Sequence, residues 1–248
     1  MICVKNSREL AAMRQACIIS ARALQLGGEA VEPGVTTAEI DRIIRKYIES
    51  QGAKPSFLGY GGYPASACIS VNETVIHGIP DKRVIRAGDI VSIDVGAYIG
   101  GYHGDNAATF AAGDISPEAQ ALLDATRESL YEGIAQATAG NRVGDIGAAV
   151  QRYVEMRGYS VVRQFVGHGV GTNLHEDPSV PNFGTPGRGT RLVPGMTLAI
   201  EPMINMGGSE VEILKDGWTT VTKDGKLSAH FEHTIAITSD GPAILTIP

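Results

Sequence analysis

Two aspartates, Asp94 and Asp105, flank a glycine-rich centre in GDIVSIDVGAYIGGYHGD (88–105). Ile90, Val91, Ile93 and Val95 are apolar and β-branched, so Asp94 lies inside a strand pattern. Ile99, Gly100 and Gly101 mark the midpoint of the segment and predict a hairpin turn there. That turn puts both acids on one face of an antiparallel pair, where facing side chains stand roughly 5 Å apart. Two carboxylates at that separation repel by roughly 3–4 kcal/mol at a surface-like dielectric. Such a pair needs a shared proton or a cation.

The pattern recurs. LVPGMTLAIE (192–201) aligns with IRAGDIVSID (85–94), which pairs Gly195 with Gly88, Ile200 with Ile93 and Glu201 with Asp94, 107 residues apart. Glu232 then follows Glu201 as Asp105 follows Asp94. Four convergent carboxylates carry −4, which two divalent ions would neutralise, and unpaired buried charge is strongly disfavoured. Oxygen ligands with one imidazole suit Mn, Fe, Co or Zn. His168 and His175 stand together in the glycine-rich loop GHGVGTNLHEDP (167–178), and the pairing, more than either histidine alone, makes them candidates for function. The chain has no HExxH motif, which excludes a zincin-type single-zinc site. It also has no GxSxG, no cysteine in a nucleophile context and no phosphate loop.

Composition narrows the class. The 248 residues are 43% hydrophobic and 19% charged, ordinary for a globular protein that buries a core. A net charge of −6 argues against nucleic acid as the main ligand. Cys3, Cys17 and Cys68 are an odd set without a CxxC pair, which fits a reducing compartment. The sequence shows no signal peptide at its start and no run long enough to span a membrane, so the cytoplasm is expected.

The elements that position the acids are helices and hairpins. Asn6 with Glu9 predicts a helix start, and Gly27-Gly28 reads as its stop. Thr36 with Glu39 starts a second helix with an Ile40, Ile43, Ile44, Tyr47, Ile48 stripe, ended by Gly52. Ser116-Pro117 starts a third helix running toward Gly140, and a fourth covers 143–158. Strands are expected at 68–71 and 161–166. Leu24/Leu130, Gly27/Gly133, Gly34/Gly140, Ile40/Ile146, Tyr47/Tyr153, Glu49/Glu155 and Gly52/Gly158 all differ by 106. One inserted residue explains the later offset at the acids. We read two α/β halves related by pseudo-two-fold symmetry, with the site between them.

The motifs SID (92–94), HGD (103–105), GHGVG (167–171), IEPM (200–203) and FEHT (231–234), in this order, resemble the type I methionine aminopeptidases. NETVIHGIP (72–80) and GYGGYP (59–64) are similar to that family too, so the likeness covers essentially the whole chain. It implies an α+β pita-bread fold, with antiparallel sheets inside and helices outside. It also implies a single catalytic domain over 1–248, with halves of approximately 1–112 and 113–248. By the same resemblance Asp94, Asp105, His168, Glu201 and Glu232 hold two divalent metal ions. Asp105 and Glu232 would bridge the pair, His168 and Glu201 complete one ion, and Asp94 the other. The implied reaction releases the initiator methionine from nascent polypeptides, preferentially when the second residue is small. A hydroxide bridging the metals would attack the scissile carbonyl, His175 would stabilise the oxyanion and Glu201 would relay the proton. His77 would hydrogen-bond near the scissile amide. Phe57, Tyr60, Tyr63, Cys68, Leu174 and Trp218 would line the methionine pocket. Phe57, Gly61 and Leu174 depart from the residues usual in some well-known members, which bears on pocket shape.

Two other readings compete. An X-Pro aminopeptidase or prolidase shares the fold but carries a further N-terminal domain. A non-catalytic binding module would lack ligands, whereas all five stand here. Nascent chains as substrates imply transient ribosome contact. A monomer is expected because no long apolar stripe is left once the helices pack.

Overall fold

Asn6 and Thr36 start the first two helices by the same device. Each side chain accepts a first-turn backbone N–H, while Glu9 or Glu39 accepts the cap residue's own N–H. The computed structural model describes residues 2–247. Helix α1 (Ser7–Glu29) runs through Gly27-Gly28 instead of stopping there. Those glycines are close-approach sites: a Cβ on Gly27 would stand 2.8 Å from Ile44 Cδ1, and one on Gly28 would overlap the Phe110 ring. Helix α2 (Thr37–Ser50) buries Ile40, Ile44 and Ile48, while Ile43 of the expected stripe is 40% exposed. Gly52 follows with φ +70°, the left-handed conformation that closes a helix.

Strands β1 (Lys54–Pro55), β2 (Ala67–Val71) and β3 (Thr74–Ile76) lead into the long hairpin of β4 (Ile90–Ile99) and β5 (Tyr102–Ala111). Its turn is Gly100-Gly101, at φ +60° and +88°. Ser116 caps α3 (Pro117–Gln136), which ends short of Gly140, and α4 (Val143–Glu155) follows. The strand expected at 161–166 shrinks to β6 (Ser160–Val161). The glycine-rich loop instead contains β7 (Gly167–Gly169) and leads into β8 (Glu176–Val180). Gly167 and Gly169 are there because the Ala199 and Asp177 carbonyls press against them and leave no room for a Cβ. Then come β9 (Thr197–Ile200), β10 (Met203–Asn205), β11 (Val211–Ile213), β12 (Thr220–Thr222), β13 (Ser228–His230), β14 (Glu232–Thr238) and β15 (Gly241–Ile244).

A nine-stranded antiparallel sheet runs β1-β4-β5-β14-β9-β7-β8, with β2 also on β4 and β15 on β14. Its centre is the β5–β14 pair, flanked by β4 on one side and β9 on the other. Helices α1 and α2 cover the β4–β5 side, and α3 and α4 cover the β9–β14 side. The two sides match in detail. Gly27 meets Ile44 and Ile93, and Gly133 meets Val150, Ile146 and Ile200. The Ile44–Val150 and Ile93–Ile200 pairs stand 106 and 107 residues apart.

Candidate metal centre and substrate pocket

The sheet register brings the acids together. Asp94 on β4 is opposite Ala107 on β5, and Ala107 is in turn opposite Glu232 on β14. A small residue thus separates two carboxylates in one row. Asp105 pairs with Gly96 and so lies two positions along the same face. Glu201 directly follows β9, one position beyond the Ile200–His233 pair of β9 and β14. His168 enters from β7, opposite Ala199. Asp105, His168 and Glu232 form the tightest group, each offering a ligand atom within 4.8 Å of the others. Glu201 Oε1 is 3.5 Å from His168 Nε2, and Asp105 Oδ2 is 3.8 Å from the same nitrogen. Asp94 lies at the far side of the row.

The protonation pattern of this cluster calls for a cation. A carbonyl can only accept, so the 2.8 Å contact of His168 Nδ1 with the Gly169 carbonyl fixes the proton on Nδ1. Nε2 therefore offers a lone pair toward two carboxylate oxygens. Burial holds the imidazole neutral, lowering its pKa to about 3. Burial also raises Asp94 to about 7. It raises Asp105, Glu201 and Glu232 well above the carboxylate range, with neighbouring carboxylates pushing the same way. One oxygen each of Asp94, Asp105 and Glu232 is buried without a hydrogen-bond partner. Buried acceptors facing one another, with an imidazole lone pair among them, fit divalent metal ions.

Next to the acids the wall turns apolar. Phe57, Tyr63, Cys68 and Leu174 are buried together, with Trp218 packed against them. The Tyr63 hydroxyl is anchored on the Ala67 and Gly78 carbonyls, and its ring meets Trp218 edge-on at 5.1 Å. Cys68 is paired with Asp94 across β2 and β4, which joins pocket to acids. Gly61, at φ +56°, brings the backbone close to Trp218: a Cβ there would be 3.3 Å from Cη2. Tyr60 is exposed and its hydroxyl lies 2.7 Å from His175 Nδ1. His77 adopts φ +59°, uncommon for a residue with a Cβ, and its ring stands edge-on to Phe165 and Trp218. Burial lowers its pKa to about 4, so it is neutral.

All thirteen residues singled out from the sequence line one cavity of about 140 Å³: the four acids and His168 as candidate ligands, His77 and His175, and the six expected pocket residues. Three supporting residues escaped sequence reading. His230 Nε2 is buried, lacks a hydrogen-bond partner and faces Glu201 Oε2 at 3.7 Å. Its only signal was its place two residues before Glu232. The Thr234 hydroxyl donates to the Asp105 carbonyl at 2.7 Å and accepts from its N–H. Asn182 donates to the Glu201 carbonyl at 2.9 Å. Asn182 lies outside every quoted motif, and Thr234 stands in FEHT (231–234) with no role of its own there, because a contact to backbone is not marked by residue type.

The sequence pattern of metallopeptidase family M24 matches residues 11–239. A methionine aminopeptidase of Clostridium perfringens is 55% identical, over 100% of this chain and 99% of its own length. The chain belongs to the methionine aminopeptidases of family M24. Methionine aminopeptidase 1 of Bacillus subtilis is 53% identical, over 99% of both chains. The crystal structure of a methionine aminopeptidase from Thermotoga maritima superposes with a TM-score of 0.98 at 45% identity, covering 100% of both chains. A prolidase from Pyrococcus horikoshii shares only the fold, with a TM-score of 0.81 at 23% identity, and the match covers 63% of that chain. The fold is thus the pita-bread fold.

Proposed function

We propose that this family member is a metal-dependent aminopeptidase that removes the initiator methionine from nascent polypeptides, preferentially when the second residue is small. The observation that carries the reading is the joining of an apolar, sulfur-bearing pocket to a ring of buried acids in one cavity. Asp94, Asp105, His168, Glu201 and Glu232 would hold two divalent ions drawn from Mn, Fe, Co or Zn. When bound, those ions polarise the scissile carbonyl and make water nucleophilic near neutral pH.

The chain's own residues do the rest. The thioether of methionine packs against Cys68, Tyr63 and Trp218, an environment that suits a polarisable side chain. His175 has Nδ1 engaged by the Tyr60 hydroxyl, which leaves Nε2 to donate to the developing oxyanion. Neutral His77 stands at the pocket wall to hydrogen-bond the scissile amide. Glu201, largely buried beside His168, accepts a proton and delivers it to the leaving amine.

The catalytic unit would be the single domain 1–248, with halves meeting near residue 112, working as a cytoplasmic monomer in transient contact with the ribosome. No disulfide joins the described cysteines, and no described helix is long and apolar enough to cross a membrane. A peptide panel tests the substrate assignment. Methionine should be released from Met-Ala-Ser, with Leu-Ala-Ser and Ala-Pro-Ala left intact. Cleavage of Ala-Pro-Ala instead would reassign the chain to X-Pro chemistry.

A further inference from the structure

Lys5 and Glu176 form a buried ion pair outside the residues that line the site cavity. Lys5 Nζ lies 2.6 Å from Glu176 Oε2, and the two side chains are 5% and 3% exposed. Their residues stand 171 apart in sequence, so the pair ties the segment before α1 to the start of β8. The other Glu176 oxygen accepts from the Asn173 N–H at 3.1 Å and the Thr172 hydroxyl at 3.2 Å. Two glycines make room. A Cβ on Gly171 would stand 2.6 Å from Lys5 Cε and 2.7 Å from Glu176 Oε1, and one on Gly195 would stand 2.6 Å from the Lys5 carbonyl. The Lys5 N–H also donates to the Gly195 carbonyl at 2.7 Å.

The segment held in this way is 171–175, which carries Leu174 and His175. Leu174 has its own support, because it is buried among Phe57, Tyr63 and Cys68. His175 is exposed, and it meets the Tyr60 hydroxyl and ring and the His168 ring. We propose that Glu176, clamped by Lys5, is the positioning residue for His175, setting where its imidazole meets the substrate. This rests on the aminopeptidase reading for what His175 does, but not for how it is held. The expected signature is a split. Loosening the clamp lowers kcat, because a small misplacement of a catalytic group costs up to about 100-fold. It leaves KM nearly unchanged, because the methionine pocket keeps its walls.

The test compares Lys5→Met with the paired Lys5→Met/Glu176→Gln variant in the metal-loaded enzyme. The single change strands a buried carboxylate and will lower Tm. The paired change removes both charges and should recover most of the Tm while kcat on Met-Ala-Ser stays about 10- to 100-fold down. Hydrogen exchange of 171–176 should be faster in both variants. A folded paired variant with wild-type kcat would overturn the proposal, as would wild-type exchange protection of 171–176. An inactive wild-type enzyme would count against the aminopeptidase reading, and the exchange result would still decide the clamp.

Discussion

His168 shows how one proton organises the site. The Gly169 carbonyl holds it on Nδ1, and the Nε2 lone pair, facing the Glu201 and Asp105 oxygens, is free for a metal ion. Asp94→Ala or His168→Ala should therefore abolish methionine release while circular dichroism and Tm in chelator stay near wild type. Full activity in either variant would remove that residue from the metal set. His175→Ala should lower kcat by about 100- to 1,000-fold, the usual cost of losing an oxyanion donor, with little change in KM. Steady-state kinetics on Met-Ala-Ser reads both constants, and an unchanged kcat would exclude the role. The candidate ligands could be picked out because each sits in a short motif, and the structure brings those residues to one cavity. His230 could not be, since its relation to Glu201 comes from the β10–β13 pairing and not from spacing.

Helix and strand starts were readable from capping residues, and the β4–β5 hairpin from its central glycines. Glycines inside elements were misread, because a stop and a close approach look alike in sequence. Gly27-Gly28 continues α1, and Gly167 and Gly169 form a strand. Gly104 is the severe case. It precedes Asp105 on β5, and a Cβ there would overlap the backbone of Ala16 and Cys17 in α1. Backbone cannot give way as a side-chain tip can, so Gly104→Ala should destabilise by about 3 kcal/mol, at the upper end for overpacking. Gly27→Ala meets the flexible Ile44 Cδ1 and gains helix propensity, so it should cost less than about 1 kcal/mol. Urea denaturation of the two variants checks the ranking, and equal stability losses would contradict it.

At the scale of the molecule, the 106-residue repeat gave the symmetry, since equal spacing of glycines and isoleucines reflects equal packing in both halves. That symmetry concentrates charge at the centre, which makes stability depend on pH and metal together. In the metal-free chain, burial raises Asp94 from 3.8 to about 7, and Asp105, Glu201 and Glu232 well above their usual values. The folded state then holds more protons than the unfolded one, so this contribution is complete at low pH and is lost as pH rises through the raised values. His77, His168 and His230, lowered by burial from 6.5 to about 4, 3 and 3, run the opposite way and stop contributing a slope above 6.5. Tm of the chelated protein should therefore fall from about pH 6.5 to about pH 8, and added Mn or Co should remove the fall. A chelated Tm that rises over this window would contradict the charge assignment.

The most direct measurement is methionine release from Met-Ala-Ser by fully chelated protein, titrated with Mn, Fe, Co or Zn. No release should occur without metal, and activity should return with at least one of these ions as one to two equivalents bind. Release that persists in demonstrably metal-free protein, or that returns with none of the four ions, would contradict a metal-dependent aminopeptidase.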